Sequence, residues 1–147
     1  MTFNIGVTAT REGLTGPQFK TIIEKLRYIA MTNDLDGVAL HQGCCDGGDE
    51  QITIVAAAIG IPITAYPPTD KKFFSKLAYE LSSTVMKEGP YLERNGRIVD
   101  ACDILIGAPK QKYEELRSGT WSTIRYARSL NKIMTIVWRD GGASDYA

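Results

Sequence analysis

The stretch Arg117 to Trp138, RSGTWSTIRYARSLNKIMTIVW, decides the fold. A small-residue turn opens directly into a helix-period segment, and the apolar run Ile133 to Trp138 follows it. A helix that leads into a buried strand is part of the alternating pattern from which parallel sheets are built. The turn carries chemistry as well. The first N–H groups of a helix lack intrahelical partners and lie at the positive end of its dipole, so Ser118, Gly119 and Thr120 offer a seat for an anion. A cap on the helix from Ser118 or Thr120, with Gly119 easing a tight turn, explains the same residues without a ligand.

At the other end, Phe3 to Val7 reads as a strand that runs straight into Thr8, Ala9, Thr10 and Arg11. In a parallel sheet this turn and the Ser118 turn both lie at carboxyl ends of strands, where open α/β sheets bind ligands. The two seats then face one crevice.

Strand-length apolar runs and helix-period segments alternate along the rest of the chain. A helix is expected from Pro17 to Met31, with Phe19, Ile22, Ile23, Leu26 and Ile29 as its buried stripe. Asp36 to Leu40 is a short strand ending at His41, and after the Gly43 to Gly48 turn a helix runs from Asp49 to Ile59, capped by Gly60. Ile61 to Ala65 is the third strand, stopped by Pro67 and Pro68. Asp70 to Glu88 has Phe73, Phe74, Leu77, Leu81 and Val85 on one helical face, assigned to core or to a contact between copies. Tyr91 to Ala101 is a further helix, Asp103 to Ile106 a buried strand, and Ala108 to Leu116 a loop or lid. The helix Thr120 to Leu130 and the strand Lys132 to Trp138 complete an α/β, three-layer, Rossmann-like domain. Its sheet is mainly parallel, with about five strands and helices on both faces. Arg139 to Ala147 reads as a frayed tail.

The 147 residues are 44% hydrophobic, enough for one domain with a continuous core. Seventeen Lys and Arg balance seventeen Asp and Glu, so no overall field draws in nucleic acid or an anionic membrane, and self-association is tolerated. No apolar run approaches a membrane span and no basic leader precedes one, which makes a cytoplasmic protein the expectation. Cys44, Cys45 and Cys102 are an odd set without CxxC spacing, and His41 is the single histidine. Reduced thiols and no metal site are expected.

Several segments together carry a resemblance: GVTATREGLT (Gly6 to Thr15), HQGCCDGGDE (His41 to Glu50), AYPP (Ala65 to Pro68), RNGRIVDACDILIGAP (Arg94 to Pro109) and SGTWSTIRYA (Ser118 to Ala127). The chain resembles the SLOG superfamily, the Rossmann-like group that includes DNA-processing protein A, the LOG phosphoribohydrolases and nucleotide-sensing domains of bacterial defence systems. The resemblance implies a nucleotide or nucleotide-derived ligand and a dimer or higher oligomer. It also exposes a departure. LOG enzymes carry PGGxGTxxE, whose acidic residue works with a nearby Arg on an N-glycosidic bond; here the region reads RSGTWSTIR, without a carboxylate in the first helical turns and with Arg125 nearby. A departing base leaves positive charge on the sugar, which a carboxylate stabilises and a cation opposes.

The candidate ligand contacts are Thr8, Thr10, Arg11, His41, Gly43, Asp46, Arg94, Asn95, Pro109, Ser118, Gly119, Thr120, Trp121 and Thr123. Arg11 and Arg94 are phosphate candidates because a guanidinium binds phosphate through paired donors; solvated surface positions are the alternative. His41 reads as a base, a ligand donor or a neutral imidazole that fixes the next turn. Asp46 suits ribose hydroxyls, and Asp49 suits a helix cap. Trp121 stacks on a base, packs between subunits or belongs to the core. Tyr66 and Tyr91 are secondary candidates for base or ribose.

The leading functional expectation is a protein that binds, and sequesters, a nucleotide-derived small molecule such as a cyclic nucleotide or an ADP-ribose signal, without turnover and with no cofactor. A phage-encoded inhibitor of host defence is the context in which a SLOG domain lacking an effector makes sense. A phosphoribohydrolase using Asp46, Asp49 or Glu50 is second, and a single-stranded DNA binder is third, with little support from the neutral charge balance.

Overall fold

The computed structural model describes all 147 residues. Seven strands form one sheet in the order β4-β3-β2-β1-β5-β6-β7. They are β1 (Phe3–Ala9), β2 (Val38–Gln42), β3 (Ile63–Ala65), β4 (Thr84–Val85), β5 (Ile104–Ala108), β6 (Ile133–Val137) and β7 (Ala143–Tyr146). Every neighbouring pair is parallel except β6 and β7. The helices are α1 (Gly16–Thr32), α2 (Gly48–Ile59), α3 (Lys76–Glu80), α4 (Tyr91–Ala101) and α5 (Gly119–Ser129). No helix is long and apolar enough to cross a membrane.

Helices cover both faces. Ile22, Leu26 and Ile29 of α1 and Ile52 and Ala56 of α2 bury against Ile5, Val7, Val38, Leu40, Ile63 and Ile106 of the strands. On the other face Val99 of α4 and Trp121, Ile124 and Ala127 of α5 pack on Leu105, Met134 and Ile136. Alternation along β5, with Leu105 on one face and Ile106 on the other, is the period of two that divides these layers. Of the expected α1 stripe Ile22, Leu26 and Ile29 are buried, while Phe19 and Ile23 are half-buried and Gln18 is the fourth buried residue; Thr15 and Gln18 close a reciprocal capping box at its start. Gly60 ends α2 in the left-handed conformation.

The sheet is larger than the sequence suggests, by one short strand at each edge. The segment Asp70–Glu88 is not one helix: only Lys76–Glu80 is helical, and Thr84–Val85 adds the edge strand β4. Its first half pairs instead with the loop after β2, since the Asp46 N–H donates to Phe73 O (2.9 Å) and the Ser75 N–H to Cys44 O (2.7 Å). Nor is the tail frayed. β7 returns antiparallel to β6, where Thr135 donates to Asp145 (2.7 Å) and the Trp138 indole to Ser144 (2.9 Å). The turn between them docks on α1, because Thr15 donates to Arg139 O (2.6 Å) and Thr21 to Gly141 O (2.7 Å). β2 begins two residues later than expected, after a tight helical turn at Leu35–Gly37, and β5 runs on to Ala108.

Candidate functional site

The chain adds strands outward on one side of β1 and then crosses to β5 on its other side, so the winding reverses between β1 and β5. Such a reversal opens a crevice at the carboxyl ends of the two strands. Ala9 pairs with Ala108 there, and the Thr10 N–H donates to Ala108 O (3.0 Å). Thr8 lies inside the pairing opposite Gly107, while Thr10 and Pro109 are buried where the two loops leave the sheet. The Thr10 carbonyl accepts from Gly13 (3.2 Å) and from Gly48 at the start of α2 (2.9 Å), which folds Arg11 and Glu12 over that helix end. Gly47 has φ +85°, and a Cβ there would run into the Arg11 backbone. The first seat is thus built by two loops locked together.

Arg11 is exposed, and its guanidinium carbon sits 3.8 Å from the centroid of the Phe73 ring. It makes no hydrogen bond and no ion pair within the chain, so its N–H donors are free while stacking fixes its plane. Phe73 is itself anchored by the pairing of its segment with the loop that carries Asp46. Asp46 is exposed on the same turn. No sequence pattern points to the Arg11–Phe73 stack, because Phe73 fits a helical stripe.

The second seat is the start of α5. Ser118 is its N-cap and accepts from the Trp121 N–H (3.2 Å), so the capping alternative holds, yet one side chain satisfies one donor. Gly119 is exposed, and a Cβ added to it would meet open space. Thr120 is buried beside it, and the Thr123 hydroxyl donates back to Gly119 O (2.8 Å). When PGGxGTxxE is laid on Gly119 and Thr120, its acidic position falls on Thr123. Arg125 faces the preceding loop, donating to Glu115 O and Leu116 O (both 3.3 Å) and pairing with Glu114 (3.7 Å). Trp121 is 3% exposed in the second core cluster, 6.0 Å from the Trp138 ring, with its indole N–H unpartnered. The structure therefore makes it a core residue.

Other candidates lie beneath this rim. Arg94 is 3% exposed; it donates to Gly43 O, to Tyr66 O (3.1 Å) and to Asn95 Oδ1 (2.8 Å), and lies over the Tyr91 ring at 5.2 Å. It pins the ends of β2 and β3 to α4, which accounts for its burial. Asp49 is buried as well, accepting from the N–H groups of Ala9 (3.1 Å) and Gly43. Burial pushes its carboxyl up to about 7, partly opposed by Arg94 and these two bonds. His41 joins Tyr66 (2.9 Å) through Nδ1 and Asn4 Oδ1 (2.8 Å) through Nε2, and burial lowers its pKa, partly offset by Asp103. Both ring nitrogens are thus held by protein, by groups on β1 and after β3 and not by the turn that follows His41. Glu50 is half-buried on α2, which leaves Asp46 as the exposed member of the carboxylate trio. The three thiols are buried, free and raised by desolvation, Cys44 and Cys102 to about 11.

Asn95 and Thr123 line a recess of about 460 Å³ between α4 and α5, which Ser122, Arg97 and Asp100 also line. On the far side of the rim Glu12 pairs with Lys110 (3.4 Å) and Arg139 (3.8 Å). Gln18 is fully buried; its amide donates to Pro109 O (3.1 Å) and Val137 O (3.0 Å) and accepts from Thr15 and Arg139. The TxxQ spacing that signals a capping box was the trace of Gln18 in the sequence; its second role came only with the fold. No three His, Cys, Asp or Glu side chains converge as a metal-binding group.

No protein-family model matches the chain, and no curated protein matches it in sequence. Solved structures do. The molybdenum cofactor binding protein of Rippkaea orientalis superposes over 94% of this chain and 77% of its own, with a TM-score of 0.71 and 19% identity. DNA processing protein A of Streptococcus pneumoniae matches over 92% of this chain (TM-score 0.67, 16% identity), and the Helicobacter pylori protein, described in its single-stranded DNA binding mode, over 91% (TM-score 0.62, 20% identity). This chain spans 50% and 64% of those two proteins. At such identities the likeness concerns architecture alone: a Rossmann-like fold, with a mainly parallel sheet between two helical layers.

Proposed function

We propose that the chain binds a phosphate-bearing, nucleotide-derived small molecule at the β1–β5 crevice and holds it without turnover. The observation that carries this reading is the Arg11 guanidinium, held over the Phe73 ring at 3.8 Å with its donors free, on the loop that leaves β1. A fixed, unpaired guanidinium has already lost the side-chain freedom that binding would otherwise cost. The open start of α5 offers backbone N–H groups to a second anionic group, and the recess lined by Asn95 and Thr123 offers polar contacts to a ribose or a base. The fold shared with a molybdenum cofactor binding protein supports a small-molecule guest.

Turnover finds little support at this site. Thr123 stands where an acidic residue would act, and Asp49 is buried and bound to backbone. Retention without chemistry is sequestration, and a captured signal nucleotide is the guest that gives sequestration a purpose, including against bacterial signal-based defence.

The test is incubation with AMP, ADP-ribose and a cyclic dinucleotide, followed by chromatography of bound and free fractions. Recovery of the intact compound with the protein supports the proposal. Release of free base would identify an N-glycosidase, with Asp46 as its exposed carboxylate, and a salt-sensitive shift of single-stranded DNA with no small-molecule binding would favour the DNA reading; either result overturns retention of a small guest.

A further inference from the structure

The recess between α4 and α5 has a hydrogen-bonding polarity that discriminates among bases. Asn95 Oδ1 accepts from Arg94 Nε (2.8 Å), and because an arginine only donates, the amide is fixed with Nδ2 as its free end. Toward a guest, Asn95 is therefore a donor. The other polar groups accept. Thr123 already donates its hydroxyl hydrogen to Gly119 O (2.8 Å). Asp100 accepts from the Tyr126 hydroxyl through Oδ1 (2.8 Å), which holds the carboxylate and leaves Oδ2 free. Glu93 lines the recess as well, and neither carboxylate closes an ion pair; Arg97, between them on α4, donates instead to Lys87 O (2.7 Å).

Gly96 is a separate sign of a guest. It lies in the interior of α4, where glycine weakens a helix relative to alanine. Packing does not demand it, because a Cβ there would meet only the Tyr126 ring, at an ordinary 3.7 Å. The missing side chain keeps open the space beside that ring, where a flat base has a surface to lie against. Such a base must present donors to the carboxylates and an acceptor to Asn95. Guanine does so, with N1–H and N2–H₂ beside O6 and N7. Adenine presents N6–H₂ alone and sets the N1 lone pair next to it, against the carboxylate. A bare cation would satisfy the carboxylates but oppose the Asn95 amide hydrogens. Resting on the reading that the crevice takes a nucleotide, we propose that its base is guanine, with Asn95 Nδ2 donating to O6 or N7 and Asp100 accepting from the N1–H and N2–H₂ edge.

Titration calorimetry with compounds that differ in base alone tests this: GMP, IMP and AMP, then cyclic di-GMP against cyclic di-AMP. The guanine compound should bind more tightly than its adenine counterpart by roughly tenfold or more, the scale of one hydrogen bond to a charged group. IMP, which keeps N1–H and lacks the N2 amine, should fall between GMP and AMP. Asp100→Asn should erase the preference, and Tyr126→Phe, which loosens that carboxylate, should narrow it. Gly96→Leu fills the recess and should also remove the preference, with its melting curve no lower than that of wild type. Equal or tighter binding of the adenine compounds, still lost in Arg11→Ala, overturns the guanine assignment and leaves the crevice reading standing. A guanine preference that survives both Asp100→Asn and Gly96→Leu overturns its placement in this recess, and failure of every compound to bind overturns both readings.

Discussion

Arg11 and Arg94 show how one residue type serves opposite ends in the same loop cluster. Arg94 is buried with its donors on backbone carbonyls, whereas Arg11 is exposed with its donors free. Arg11→Ala should therefore weaken ligand binding and leave stability unchanged, at about 1.5–3 kcal/mol for a lost charge-assisted contact, or roughly 10- to 150-fold in Kd by titration calorimetry. Phe73→Ala should act in the same direction but more weakly, because it frees the guanidinium without removing it. Arg94→Ala should do the reverse and lower stability by about 1–3 kcal/mol for each buried carbonyl left unpaired, read by urea unfolding. Both arginines attract attention in the sequence as phosphate candidates, Arg11 just after a strand and Arg94 within the helix Tyr91 to Ala101. Their burial, the property that separates them, depends on contacts between residues more than fifty positions apart, such as Arg94 with Gly43.

Elements with a strong period were legible and the edges of the sheet were not. The α1 stripe and the apolar strands β1, β5 and β6 each hold enough core residues to fix their identity from pattern alone. The Asp70–Glu88 segment has helical spacing too, but Phe73 and Phe74 find partners on the β2 loop and on Arg11, and that tertiary pairing outweighs the local pattern. β7 escaped notice because ASDY is polar, as an edge strand with one bare side can be. Gln18 ties α1 to the ends of β5 and β6. Gln18→Ala should lower stability by about 2–4 kcal/mol, since it leaves two buried carbonyls without donors, and should raise hydrogen exchange in the loop 109–118 before the core opens.

At the scale of the whole molecule, Asp49 couples the crevice to global stability. Its carboxyl titrates at about 7 when folded and near 4 when unfolded, so the folded state holds the extra proton between those values. The stabilisation from that proton is complete below the unfolded value and is lost as pH rises through the folded one. Relative to wild type, Asp49→Asn should remove a fall of up to about 1.4 kcal/mol per pH unit between pH 4 and 7, measured by urea unfolding across that range. Taking the difference between the two proteins isolates this group from His41, whose lowered pKa acts in the opposite sense. The same crevice carries the proposed function, and native mass spectrometry of protein purified from cells supplied with candidate nucleotides addresses it most directly. Wild-type protein should carry a phosphate-bearing adduct that Arg11→Ala and Gly119→Asp both lose while their melting curves stay in place. An adduct retained equally by both variants, or a wild-type protein that takes up none of the nucleotides offered, would contradict the account.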